Sequence, residues 1–238
     1  MRVSPRGRAL RIDGTFASWW DPGSPVTGGV WDALAAPVLM LPPDRRRSLL
    51  VLGLGGGSVA RVLRALAPRA QIVGVERDPE VLRVAKRRLG LSALGVEVVE
   101  ADARVYLARL QRRFDLIVED LFVGSGRAVR KPDWLAGGAL ARLAGRLAPG
   151  GLLVSNSLDE APATARVFAE RFPATLCLAV RGFDNRVLVG GSAPCTAAAL
   201  RRALAREPLL AGMLPRLRVR TLTRSDRAPR SGTGARSG

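Results

Sequence analysis

Leu49-Leu50-Val51-Leu52-Gly53-Leu54-Gly55-Gly56-Gly57-Ser58 joins an aliphatic run to a cluster of glycines. An unbroken aliphatic run of this length reads as a strand buried on both faces, as in a parallel sheet. The glycines behind it permit a tight turn and let the backbone approach a ligand closely. Helical spacing resumes from Ser58 to Leu66 and stops before Pro68. A helix opening on a glycine loop directs its first N–H groups at anionic or polar ligand atoms. Many nucleotide sites share this arrangement, so the loop by itself defines a fold element more than an activity.

The same alternation continues downstream. Gln71–Glu76 reads as a second strand, and Asp78 caps a helix over Pro79–Leu89, with proline in its first turn and Gly90 past its end. Val96–Glu100 is a third strand, Ala103–Arg112 a helix and Phe114–Glu119 a fourth strand. Trp134–Leu147 has helical spacing, with Pro149-Gly150-Gly151 ending that helix and opening a strand over Leu152–Ser155. After a helix over Pro162–Arg171, strands Thr175–Val180 and Arg186–Val189 are joined only by Arg181-Gly182-Phe183-Asp184-Asn185. That connection is too short for a parallel crossover, so these strands form an antiparallel hairpin. A final helix covers Thr196–Arg206. The expected fold is α/β: a mostly parallel Rossmann-like sheet with a terminal antiparallel hairpin. The domains expected are an N-terminal β arm over 1–47, a ligand-binding domain over 48–215 and a basic, disordered tail over 216–238.

Composition narrows the chemistry. The chain has no histidine, which excludes His-ligated zinc, Ser-His or Cys-His nucleophilic pairs and an imidazole base. Its two cysteines, Cys177 and Cys195, are too few for a thiolate metal cage or a disulfide framework, so a metal-free cytoplasmic protein is expected. The net charge is +18, and Arg216–Gly238 alone carries seven arginines against one aspartate, leaving +12 elsewhere. A solvated basic surface explains this charge, and affinity for nucleic acid is the alternative. Only Lys86 and Lys131 among the 38 cations are lysines. No signal peptide is expected, and the apolar stretch Ala33–Leu41, interrupted by Pro37, is too short to span a membrane.

Three polar features fall at the carboxyl ends of three adjacent strands, where open α/β sheets bind ligands. They are the loop Gly53, Gly55, Gly56, Gly57 and Ser58; Glu76 with its neighbour Arg77; and Asp102 with its neighbour Ala103. Glu76 is placed to accept both hydroxyls of a ribose, and Asp102 to accept from an adenine amino group.

These stretches, together with Phe114-Asp115-Leu116-Ile117-Val118-Glu119-Asp120 and Leu147-Ala148-Pro149-Gly150-Gly151-Leu152-Leu153-Val154-Ser155-Asn156-Ser157, resemble the class I S-adenosylmethionine-dependent methyltransferase fold. More narrowly they are similar to the polyamine aminopropyltransferase (spermidine synthase) family, and Leu10-Arg11-Ile12-Asp13-Gly14 resembles that family's N-terminal hairpin. The resemblance implies S-adenosylmethionine or its decarboxylated form as cofactor, a small-molecule acceptor, a possible homodimer, and Asp120 as the candidate catalytic residue beside the methionine end. This sequence departs from the family on the acceptor side. Ser58 replaces the loop's aspartate, Asp120-Leu121-Phe122-Val123-Gly124 replaces Asp-Ser-Ser-Asp-Pro, Ala17 replaces a glutamine, and Val30-Trp31-Asp32 replaces a Tyr-His-Glu element. Val123 can neither accept a proton nor hold an ammonium group, and a polycationic amine needs carboxylates to offset its charge. The favoured expectation is therefore methyl transfer to an altered acceptor site. Aminopropyl transfer is one rival, and a non-catalytic module with a basic surface is the other. Trp19, Trp20, Trp31 and Trp134 are candidates for an acceptor pocket or for packing. The Pro194-Cys195 pair has the form of a methyltransferase nucleophile but lies too far along the chain for that role.

Overall fold

The structure is a computed structural model that describes residues 7–191 and 195–222. An eight-stranded sheet runs in the order β10-β8-β9-β7-β6-β3-β4-β5. Its parallel half comprises β3 (Ser48–Leu52), β4 (Gln71–Glu76), β5 (Glu97–Glu100), β6 (Phe114–Glu119) and β7 (Leu147–Ser157). The other strands are antiparallel: β9 (Arg186–Gly191) pairs with β7, β8 (Ala174–Val180) with β9, and β10 (Leu217–Thr221) with β8. The expected terminal hairpin is thus present, with a further strand beyond it.

Successive residues of the parallel strands supply two cores. Leu49, Val51, Leu116, Val118, Leu152 and Val154 pack on one face with helices α1 (Val30–Ala35), α2 (Ser58–Leu66) and α7 (Ala197–Ala205). Leu50, Leu52, Ile117 and Leu153 pack on the other with α4 (Ala103–Arg109), α5 (Leu140–Ala144) and α6 (Ala161–Arg171). Covering on both faces is why these strands read as aliphatic runs. Helix α3 (Pro79–Arg88) begins at the expected cap, with Asp78 accepting from the N–H groups of Glu80 and Val81.

The N-terminal arm contains the hairpin β1 (Arg8–Ile12) and β2 (Thr15–Trp20), turned by Asp13 and Gly14 at φ +47° and +79°. Two consecutive left-handed residues suit the right-handed twist of the strands they join.

Three features differ from the sequence reading. The helix expected over 134–147 is reduced to α5 behind a π-helical turn, because Gly138 adopts φ +96°, outside the α-helical range. The following strand begins at Leu147 and carries Pro149-Gly150-Gly151 as an irregularity in its pairing with β6. Leu217–Thr221, expected in the tail, forms β10 with Leu217 and Val219 buried, so the sheet extends past residue 215. The remainder of the expected tail, 223–238, lies outside the described residues, as does Pro194. Among the described residues no helix is long and apolar enough to cross a membrane.

Candidate active site

From β3 the sheet grows outward through β4 and β5, and the chain then returns to lay β6 on the other flank of β3. Loops diverge at such a switch point and leave a crevice above the carboxyl ends of the strands. A cavity of about 450 Å³ occupies that crevice and is closed on one side by the N-terminal arm. Its size falls within the range of small-ligand sites.

One end is built from β3, β4 and β5. Glu76 terminates β4, and its Oε2 accepts from the Gly55 N–H at 2.9 Å. Its Oε1 accepts from the Arg77 and Asp78 N–H groups at 2.9 and 3.1 Å. Three backbone donors therefore fix this carboxylate in place, and each oxygen retains capacity to accept a ligand hydroxyl. Asp102 caps α4 by accepting from the Arg104 N–H at 2.7 Å through Oδ1, which leaves Oδ2 for a ligand donor. Gly53, at φ +82°, passes so close to β6 that a Cβ would lie 2.3 Å from the Asp120 carbonyl oxygen. A side chain there would drive β3 and β6 apart and reshape the cleft.

Of the residues read from sequence as cofactor-binding, Gly53, Gly55, Glu76, Arg77, Asp102, Ala103 and Asp120 line the cavity. Gly56, Gly57 and Ser58 are not among its lining residues. Ser58 is buried with 1% exposure; its hydroxyl donates to the Trp19 carbonyl at 2.8 Å and accepts from the Trp19 N–H at 2.9 Å. The Gly56 N–H donates to Ser18 Oγ at 2.7 Å. A Cβ on Gly56 would lie 2.7 Å from Leu89 and from Ser18. Half of the glycine loop is therefore small because the arm lies on it. Among the tryptophans, Trp31 and Trp134 line the cavity, whereas Trp19 is in the core and Trp20 packs against it. Cys195 is buried, and burial pushes its thiol up to about 12, so no nucleophilic role fits it.

The other end is built from β6, β7, the β8–β9 turn and the arm. Asp120, just beyond β6, accepts from Asn156 Nδ2 at 2.7 Å, and Asn156 Oδ1 accepts from Asn185 Nδ2 at 2.9 Å. Burial raises the Asp120 carboxyl to about 6, against the lowering effects of Asn156 and the Lys131 charge; Glu119 and Glu76 push it further up. Beneath it, fully buried Glu119 accepts from Lys131 Nζ at 2.6 and 2.8 Å, from Ser155 Oγ at 2.6 Å and from the Leu121 N–H at 2.8 Å. The Lys131 ammonium also lies 4.5 Å from the centre of the Phe122 ring. The pair anchors both ends of the 120–131 loop, which forms one cavity wall.

Asn156, Asn185 and Lys131 were not assigned site roles from sequence. Signals existed: a polar Ser155-Asn156-Ser157 run closing an aliphatic strand, and a rare lysine where arginine is the rule.

Comparisons with known proteins agree with this architecture. A family described as "Methyltransferase domain" matches residues 49–151. A probable polyamine aminopropyl transferase of Bifidobacterium longum is 36% identical over 98 residues, covering 41% of this chain and 21% of that protein. The aligned stretches span about one fifth to one third of the length of the first curated relatives. A probable spermidine synthase from Corynebacterium glutamicum superposes with TM-score 0.69 at 20% identity, covering 100% of this chain and 93% of that one. Human Methyltransferase-like protein 13, solved in complex with SAH, gives TM-score 0.61 at 24% identity, covering 87% and 96%. The chain therefore has the class I S-adenosylmethionine-dependent methyltransferase fold, in its spermidine synthase-like form.

Proposed function

We propose that the chain is a transferase that binds S-adenosylmethionine in this cavity and moves its methyl group to a small acceptor held between the arm and the 120–131 loop. The residues present suit that cofactor: Glu76 is fixed where a ribose needs an acceptor, Asp102 offers an oxygen to an adenine amino group, and Gly53 keeps the cleft open. A sulfonium is already an activated leaving group, so the protein mainly aligns the acceptor and excludes water. Phe16, Trp31 and Phe122 form the water-excluding walls, and Asp120, charged above about pH 6, accepts a proton or hydrogen bond from the acceptor.

The observation favouring methyl over aminopropyl transfer is the charge at the acceptor end. Among the described residues lining the cavity, Asp120 is the carboxylate there; Glu76, Asp78 and Asp102 belong to the nucleoside end. Lys131 and Glu119 neutralise each other beneath the wall. A dicationic amine would leave one charge without a partner. The names of the first three curated relatives favour aminopropyl transfer as the second reading. Mass analysis of the released nucleoside separates the two: S-adenosylhomocysteine supports methyl transfer, and methylthioadenosine formed from decarboxylated donor with a diamine overturns it.

A further inference from the structure

We infer that the acceptor end of the cavity is built for an uncharged, ring-bearing hydroxyl compound; this rests on the reading of the other end as an S-adenosyl nucleoside site. Its walls are aromatic. Phe16 and Trp31 meet edge to face at 4.9 Å and 83°, and Phe122, Trp134 and Phe183 complete the lining. Such walls favour a flat apolar body through ring packing and desolvation. The polar groups at this end form one connected edge, Asp120–Asn156–Asn185, joined by hydrogen bonds of 2.7 and 2.9 Å. Asn185 fixes the amide of Asn156, which in turn leaves Asp120 as the hydrogen-bond acceptor. One carboxylate matches one hydroxyl proton.

Charge disfavours acceptors that carry two or more like charges. Among the described residues at this end a dication finds Asp120 and no second carboxylate, because Glu119 is committed to Lys131, Ser155 and the Leu121 N–H. Among the described lining residues the cation is Arg77, which stands at the nucleoside end, and Lys131 behind the wall is held by Glu119, so a polycarboxylate gains no counter-ion from them. In the transfer, an electron pair of the acceptor oxygen forms the O–CH3 bond. The S–CH3 bond breaks with its pair remaining on sulfur, and the hydroxyl proton passes to Asp120.

Calorimetry on the whole chain tests this, with S-adenosylhomocysteine titrated first and then 2-naphthol, putrescine or citrate added to the complex. The expected result is that S-adenosylhomocysteine binds and that 2-naphthol binds about tenfold or more tighter than either charged probe, the weight of one unpartnered charge. Val123→Asp, which adds a carboxylate to the wall, should narrow or reverse the preference over putrescine while S-adenosylhomocysteine affinity is kept. If that variant fails to bind S-adenosylhomocysteine, the wild-type ranking decides alone. Binding of S-adenosylhomocysteine with putrescine or citrate equal to or ahead of 2-naphthol, or with no 2-naphthol binding, overturns this inference and leaves the nucleoside site standing. Absence of S-adenosylhomocysteine binding overturns both.

Discussion

Asp120→Asn should stabilise the ligand-free protein at neutral and alkaline pH while removing the carboxylate proposed to take the acceptor's proton. Burial holds the folded-state carboxyl at about 6, against an ordinary value of 3.8. Between these values the folded chain binds more protons than the unfolded chain, so stability must fall as pH rises through the interval. The contribution is fully present below about 3.8 and lost above about 6. At about 1.4 kcal/mol per pH unit of displacement, the charged form costs the folded state on the order of 3 kcal/mol. The nearby Asn156, Lys131, Glu119 and Glu76 are unchanged in the variant, and Asp32, raised chiefly by burial, titrates in both proteins. The difference between the two curves therefore isolates Asp120. Urea unfolding of wild type and variant across about pH 4 to 8 measures it, the variant gaining relative stability progressively up to about pH 6 and then levelling. A flat difference, or one in which the variant loses ground as pH rises, would mean that the buried Asp120 charge carries no such cost. Such a cost at a binding site is a common form of trade between stability and function.

Further outcomes follow from the same geometry. Ser58→Ala strands the buried Trp19 N–H and carbonyl, which should cost about 1–3 kcal/mol and accelerate hydrogen exchange across Thr15–Trp20; unchanged exchange there argues against the clamp. Lys131→Met leaves Glu119 buried without its counter-ion and should cost about 3–5 kcal/mol, with Glu119→Gln added in a double variant restoring much of the loss. A single variant as stable as wild type would show that the pair does not anchor the loop.

The parallel core was legible because burial on both faces leaves a plain aliphatic signal: β3, β4 and β6 fall where their runs lie, and the five-residue link before Arg186 dictates the β8–β9 hairpin. β10 was harder to see because its buried Leu217 and Val219 alternate with Arg218 and Arg220 in an arginine-rich stretch that resembles a solvated tail. At the site, positions that follow the ends of strands were readable: Glu76 and Asp102 reach the cavity because β4 and β5 end beside it, whereas the N–H groups of Gly55 and Arg104 that hold their carboxylates show only in the fold. Ser58 was not, because its role depends on Trp19, 39 positions away on a separate hairpin. Asn156 and Asn185 gain meaning only once β7 and the hairpin turn are side by side.

Occupation of the cleft above β3, β4 and β5 by an S-adenosyl nucleoside held through Glu76 and Asp102 is measurable by calorimetric titration of S-adenosylhomocysteine into wild type, Glu76→Ala and Ser58→Ala. Wild type should bind saturably, Glu76→Ala should lose roughly 1.5–3 kcal/mol, or about 10- to 150-fold in affinity, and Ser58→Ala should change far less. No binding by folded wild-type protein at millimolar ligand, or equal losses in the two variants, would rule out this nucleoside site.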